Sequence, residues 1–354
     1  MVRPIDEILE TAIALNATDI HLQAGLPPVY RVRKRLIQKG GVRLGPRDTE
    51  ELVFSLMTDH QKRIFREKLD HDFSCALPGR ARFRVNAFRQ RDSVAAALRR
   101  IPFEIPSFES LGLPASMADL AQLKRGLVLI TGAAGHGKST TLAALIDRIN
   151  SERQVHVVTI EDPIEYLFLH KLSVVVQREL GTDVESFAGG LRAALREDPD
   201  VVLVGEMRDF QTIEAALTAA ETGHLVFSTL HTRTPAQAID RIVDVFPPHQ
   251  QGQVRVQLAN VLHAVVTQQL LVRKDGEGLV VAVEQLLANP AVCNLIRQGK
   301  TFQLPSLIQT GAAAGMVTME QSLKSLCERG LVTYEEALEH AFDAHELARL
   351  MGRG

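Results

Sequence analysis

The chain has 354 residues, 45% of them hydrophobic and 23% charged, with a formal net charge of −2. This length predicts about two domains of ordinary globular composition, and the near-neutral balance argues against a general polyanion binder. No apolar run approaches the roughly 18 residues that cross a bilayer, Met1–Glu10 lacks the signal-peptide pattern, and Cys75, Cys293 and Cys327 form no CxxC pair, so we expect a cytoplasmic chain associated with membranes only through partners.

Taken in order, Ile5 to Leu15 has helical spacing and predicts the first helix. Ile20 to Leu22 and Val29 to Ile37 read as short strands, and Thr49 to Leu69 as one or two helices. Ala81 to Phe88 alternates, with Phe83, Val85 and Ala87 on one face and Arg82, Arg84, Asn86 and Phe88 on the other. Val94 to Arg99 extends a sheet. Arg80 to Arg100 carries seven arginines and one acid, Asp92, a local excess of +6; such a run is either a solvated face or a phosphate contact. The proline-punctuated stretch from Ile101 to Phe108, ending near Pro114, reads as a stiff connector and places a domain boundary near residue 110.

Beyond it, short apolar strands alternate with helices, the pattern of a parallel sheet covered by helices. The strands are expected at Leu127–Thr131, Val155–Ile160, Val174–Gln177, Val201–Val204 and Leu225–Ser228. The helices are expected at Ser139–Asn150, Phe187–Arg196, Phe210–Glu221, Pro235–Val245 and Gln250–Leu270. After Asn289 the pattern is helical to the end.

Gly132-Ala133-Ala134-Gly135-His136-Gly137-Lys138-Ser139-Thr140 fits GxxxxGK[ST] between a predicted strand and a predicted helix. Backbone N–H groups in such a loop curl around phosphates and the helix N-terminus adds positive charge. Lys138 is expected to reach the β- and γ-phosphates, and the Ser139 hydroxyl to ligate Mg²⁺; ATP and Mg²⁺ are therefore the expected cofactors. Val201–Val204 delivers Glu206 to the end of a buried strand, where a carboxylate can polarise the attacking water. Glu161 and Glu165, within Thr159–Glu165, read alone as a solvated turn, but at the same sheet edge they could hold a metal-bound water. His224 and His231 bracket the strand at Leu225, and neutral imidazole can hydrogen-bond phosphate or water.

These elements in this order resemble the secretion-ATPase superfamily, and within it the retraction ATPases of type IV pili that drive twitching motility. Thr159–Glu165 is similar to that family's Asp box, Val201–Glu206 to its Walker B strand and Glu221–Thr232 to its His box. Thr18–Leu22 with Gly25–Pro28, Arg82–Asn86 leading to Arg99–Pro102, Asn294–Arg297 and Gly315–Leu323 extend the resemblance over roughly residues 5 to 350. It implies a small N-terminal PAS-like α/β domain with its connector (1–110), a RecA-like P-loop ATPase core (111–288) and a helical C-terminal region (289–354). It further implies Glu206 as the catalytic carboxylate, Glu161 and Glu165 supporting Mg²⁺ and water, and His224 and His231 near the nucleotide. Arg84 and Arg99 would act in trans on a neighbouring subunit of a homohexamer. The implied partner is an inner-membrane pilus platform protein, met at the inner face of the cytoplasmic membrane.

Departures stand beside the likeness. Ala133, Ala134 and His136 replace the family's usual loop residues, Arg33-Lys34 replaces its Asp-Gly hairpin turn, and Cys293 stands where the retraction signature has arginine. Alternatives are a pilus-extension or type II secretion ATPase, which commonly carries a paired-CxxC insert missing here, and a nucleotide-binding subunit with weak catalysis. A nucleic-acid motor would want stacking aromatics in its basic groove; Arg80–Arg100 offers only Phe83 and Phe88, and no nucleic-acid partner is expected.

Overall fold

The first helix, α1 (Ile5–Ala14), forms where apolar residues recur at helical spacing, and Ile8, Leu9 and Ala12 are buried. Three short strands follow, β1 (Asp19–Leu22), β2 (Val29–Val32) and β3 (Arg35–Gln38). The run read as Val29–Ile37 is thus a hairpin, with Arg33 adopting φ +48° at its turn. The computed structural model describes residues 5–33, 35–77, 80–101 and 104–353; Lys34 of that turn and Pro102-Phe103 of the expected connector lie outside the described residues. Next come α2 (Pro46–Ser55) and α3 (Asp59–Lys68), the latter opened by a Thr58–Gln61 capping box. The strands β4 (Asp70–Leu77), β5 (Ala81–Gln90) and β6 (Ser93–Ile101) complete an antiparallel sheet of order β3-β2-β1-β6-β5-β4. Its inward face supplies Ile20, Leu22, Phe83, Val85 and Leu98 to a core shared with α1 and α2. The compact units of the chain are Met1–Glu104 with Glu165–Leu167, and Ile105–Ile164 with Phe168–Gly354.

The second unit begins with the short helix α4 (Ala115–Ala118) and the buried strand β7 (Gly126–Thr131). Leu127 and Leu129 of β7 join one core cluster, while Val128 and Ile130 join another. A strand buried on both faces needs helices on both sides, which is why its sequence is continuously apolar. There follow α5 (Lys138–Glu152), β8 (His156–Glu161), β9 (Val174–Glu179), α6 (Phe187–Ala194), β10 (Val201–Val204), α7 (Phe210–Glu221), β11 (Leu225–Leu230), α8 (Pro235–Asp244) and α9 (Pro248–Val261). Thr234 and Asp209 cap α8 and α7 by accepting backbone N–H bonds from Gln237 and Thr212.

One expected helix is corrected. Gln250–Leu270 is helical only to Val261; the chain then becomes β12 (Leu262–Val272), paired antiparallel with β13 (Leu279–Leu287). Val265, Val266 and Thr267 are β-branched and buried, so β12 offers the stiff side chains that a sheet interior accommodates. The sheet order is β13-β12-β7-β11-β10-β8-β9, parallel throughout except for β13.

The remainder is helical: α10 (Pro290–Arg297), α11 (Leu304–Thr310), α12 (Met319–Glu328), α13 (Tyr334–His340) and α14 (Ala344–Leu350). Cys293 of α10 is partly buried against the core beside Val292 and Ile296. The first turn of α12 is tied to β13 by Met319 N–H donating to Glu284 at 3.3 Å. Burial, countered by that bond and reinforced by nearby Glu320, pushes the Glu284 carboxyl up to about 7.

Candidate active site

In an all-parallel set, every strand delivers its C-terminal end to the same sheet edge, and ligands gather there. Across that edge, spaced about 4.8 Å per strand, stand the ends of β12, β7, β11, β10 and β8. At that level stand in turn Gln268, within β12 one residue past the Thr267–Thr131 pair, then the glycine-rich loop, His231, Glu206 and Glu161. The lateral order of strands, fixed only by long-range pairing, brings together residues far apart in sequence.

The loop runs from the end of β7 into α5. Gly132 has φ +139°, and a Cβ there would lie 2.5 Å from the Gln268 carbonyl oxygen, so no side chain fits. Gly137 occupies the left-handed region at φ +77° as the residue before α5. Lys138 is buried, and its Nζ donates to the carbonyls of Gly132 at 2.8 Å and Ala133 at 2.9 Å. The cation therefore lies over the loop whose N–H groups and helix terminus form an anion cradle. Ser139 and Thr140 are half-buried in the first turn of α5.

β12 braces the loop from the side. Gln268 Nε2 donates to the His136 carbonyl at 2.5 Å, and the His136 ring Nδ1 sits 3.3 Å from the Gln268 carbonyl. One strand residue down, Thr131 and Thr267 share a hydroxyl hydrogen bond of 2.7 Å. His136, which departs from the family loop, is thus engaged with β12, whereas Ala133 and Ala134 are exposed. Beside the loop a pocket of about 200 Å³ is lined by Leu111, Leu113, Thr141, Gln268, Leu270 and Val281, among others. A mostly apolar recess adjoining a phosphate cradle suits a heterocycle and its sugar. Sequence reasoning missed Gln268 and Leu270 because β12 was read as helix.

Glu206 is largely buried. Its Oε1 accepts from Arg208 Nε and lies 3.1 Å from His231 Nε2. Gly205 lets the turn after β10 pass the Ile160 carbonyl, where a Cβ would approach to 3.2 Å. Thr229 fixes that turn by donating to the Gly205 carbonyl at 2.6 Å. Glu161 Oε1 accepts from Thr159 Oγ1 at 2.6 Å and Gln177 Nε2 at 3.1 Å. A carboxylate on an imidazole, at the edge bearing a phosphate cradle, can orient a water and take its proton. Arg208 was not singled out from the sequence; its side chain is 74% exposed and tethered only by Glu206 among the contacts described.

The expected group is not assembled whole. His224 stands at the N-terminal end of β11, the edge opposite the loop, and its Nδ1 lies 2.9 Å from the Ala219 carbonyl at the end of α7. It closes a helix terminus there, and the structure does not bring it to the nucleotide edge. Glu165 lies beyond the end of β8, in the segment Glu165–Leu167 that belongs to the N-terminal compact unit.

Arg84 and Arg99 belong to the N-terminal unit and face each other directly across β5 and β6. The row continues to Asp19 on β1 and Arg31 on β2. Asp19 accepts from Arg99 at 2.9 Å and lies 3.4 Å from Arg31. Partial burial acts to raise the Asp19 carboxyl, but the bonds from Arg99 and Thr18 and the charges of Arg99 and Arg31 hold it below the usual range. Two guanidinium groups, those of Arg99 and Arg31, share one carboxylate, and Arg84 opposite Arg99 is a like-charge pair that an anion would relieve. Elsewhere in the arginine-rich segment Arg80 pairs with Glu10, Arg82 bonds Ser74 and Arg100 bonds Asn16.

The donors at the sheet edge, a Ser139 hydroxyl with the Glu206 and Glu161 carboxylates, are hard oxygens of the kind Mg²⁺ takes. Among the described residues no cluster of three or more His, Cys, Asp or Glu forms a cage.

Comparison with known proteins supplies the context. Residues 1–327 match the family model described as Type II/IV secretion system protein. The chain is 47% identical over 337 residues to the type IV pilus retraction ATPase PilT of Pseudomonas aeruginosa, covering 95% of this chain and 98% of that protein. It is 49% identical over 321 residues to the twitching motility protein of Neisseria gonorrhoeae, covering 91% and 86%. The crystal structure of the pilus retraction motor PilT with bound ADP superposes with a TM-score of 0.91 at 51% identity, covering 98% of this chain and 99% of that one.

Proposed function

The chain belongs to the Type II/IV secretion system protein family, and on that premise we propose that it is an ATPase that powers retraction of type IV pili. One observation carries the reading: the glycine-rich cradle and the Glu206–His231 pair share the C-terminal edge of one parallel sheet. The near full-length likeness to pilus retraction ATPases supports the specific work assigned to it.

In this reading the loop N–H groups and the start of α5 hold the triphosphate, and the adjoining pocket takes the base. Lys138 exchanges the loop carbonyls for β- and γ-phosphate oxygens, so its charge follows the charge of the transferred group. Gln268 keeps the loop in place by holding the His136 carbonyl. Glu206 orients the attacking water and accepts its proton, with His231 fixing the carboxylate and Glu161 supporting the same water. Ser139 and Glu206 would hold Mg²⁺, which supplies neutralisation of phosphate charge when bound.

Arg84 and Arg99 are proposed to complete the site of a neighbouring subunit in a homohexamer, their mutual repulsion relieved by its γ-phosphate. Replacing both by alanine should lower turnover by about 10³-fold or more, the scale of arginine fingers. ATP affinity of isolated subunits should be unchanged. Steady-state phosphate release and nucleotide titration of monomers check this, and an equal loss of affinity in monomers contradicts action across an interface.

The motor would work in the cytoplasm, at the inner face of the membrane, against a pilus platform protein. In a strain lacking the chain, surface pili should accumulate and twitching should stop. Bald cells would instead assign the chain to pilus extension.

A further inference from the structure

We propose that the β2–β3 hairpin and the loop after it form a docking surface for an anionic membrane, contacted by this chain directly. From Arg31 to Arg47 the sequence holds seven basic residues, Arg31, Arg33, Lys34, Arg35, Lys39, Arg43 and Arg47, and no acid. Only Arg31 of the described ones has a carboxylate partner, Asp19 at 3.4 Å. β3 is the outer strand of its sheet, and all four of its residues are exposed. A strand exposed on both faces ordinarily carries polar side chains, yet here Leu36 is 55% exposed, Ile37 37% and, just beyond, Val42 48%.

The wing stands on a fixed base. Lys39 N–H donates to the Pro28 carbonyl, Leu44 N–H to the Leu26 carbonyl, and Leu44 itself is buried. Cations with interspersed aliphatic side chains match a phospholipid boundary, where anionic headgroups attract the first and the acyl margin takes the second. Leu36 and Ile37 are neighbours on a strand and point to opposite faces. A fluid layer can receive both at once, whereas a rigid acidic protein groove covers one face. Nucleic acid fits less well, because no aromatic side chain for stacking occurs between Arg31 and Arg47.

The test is sedimentation of the full-length protein with phosphatidylcholine vesicles, with or without phosphatidylglycerol. The wild-type chain should pellet with the phosphatidylglycerol vesicles alone and be released by salt. Arg35→Gln/Lys39→Gln/Arg43→Gln should bind them about a hundredfold more weakly. Separately, Leu36→Ser/Val42→Ser should weaken binding several-fold while leaving its salt dependence in place. A circular-dichroism spectrum and thermal unfolding curve matching the wild type identify both variants as folded in the N-terminal unit that carries the substitutions. Failure of the wild-type chain to pellet, equal pelleting with neutral vesicles, or wild-type binding by the triple variant each overturns the proposal. So does tighter binding to a polyglutamate peptide than to the anionic vesicles, which would assign the surface to an acidic protein.

Discussion

Lys138→Ala is expected to reduce ATP turnover by roughly 10²–10³-fold or more, the scale of losing one preorganised charge-stabilising donor. In the structure the Lys138 ammonium is buried and bonded to two loop carbonyls, so it is already positioned over the cradle. A charge-assisted hydrogen bond contributes about 1.5–3 kcal/mol, and removing it should weaken ATP binding about 10- to 150-fold by the same account. The fold should survive. The deleted side chain leaves two carbonyl groups beside an open loop, where water can replace it, and α5 is held by Leu142, Leu145, Ile146 and Ile149 in the core. Phosphate release and nucleotide titration on the same preparation separate the effects. Turnover near the wild-type rate would remove the loop from the mechanism.

Glu206→Gln should behave differently. The amide keeps the size of the carboxylate and can still meet Arg208 or His231, but it cannot accept the proton of an attacking water. General-base catalysis contributes roughly 10²–10⁴-fold, so turnover should fall by that factor while ATP affinity stays near the wild-type value. The variant should therefore accumulate unhydrolysed ATP, a state detected by quenching and separating bound nucleotide. Bound ADP in place of ATP would mean that another group activates the water.

Much of this site is legible in the residues, and the exceptions have physical causes. The loop at 132–140 announces itself because phosphate binding demands glycines, a lysine and a hydroxyl at fixed spacing between a strand and a helix. Val201–Val204 is readable because a strand buried on both faces must be continuously apolar. That same property hid β12. It follows α9 at once, Val261 into Leu262, with no glycine, proline or polar turn to mark the change. Buried on both faces, it has no period to separate strand from helix, and with it Gln268 stayed out of view. His224 and His231 looked equivalent from the sequence, one at each end of a strand. A parallel sheet makes them unequal: six residues at about 3.3 Å each separate the two ends, and only the end carrying His231 is the loop's own edge.

The N-terminal arginines illustrate a third limit. The local excess of charge was plain in the sequence, but the pairing register shows which members face one another. Arg84 and Arg99 are opposed on the ladder, with Arg99 also bonded to Asp19, whereas Arg80, Arg82 and Arg100 bond Glu10, Ser74 and Asn16. The register thus sets side by side the two arginines that the family resemblance already named for the double substitution.

The proposed hydrolysis depends most on Glu206 serving the nucleotide held by residues 132–140. A crystal structure of the Glu206→Gln protein grown with ATP and Mg²⁺ tests it most directly. Intact triphosphate should lie along the loop, with Lys138 turned from the Gly132 and Ala133 carbonyls to its oxygens and the residue-206 amide beside a water facing the γ-phosphate. Triphosphate bound elsewhere, or residue 206 out of reach of any such water, would contradict it.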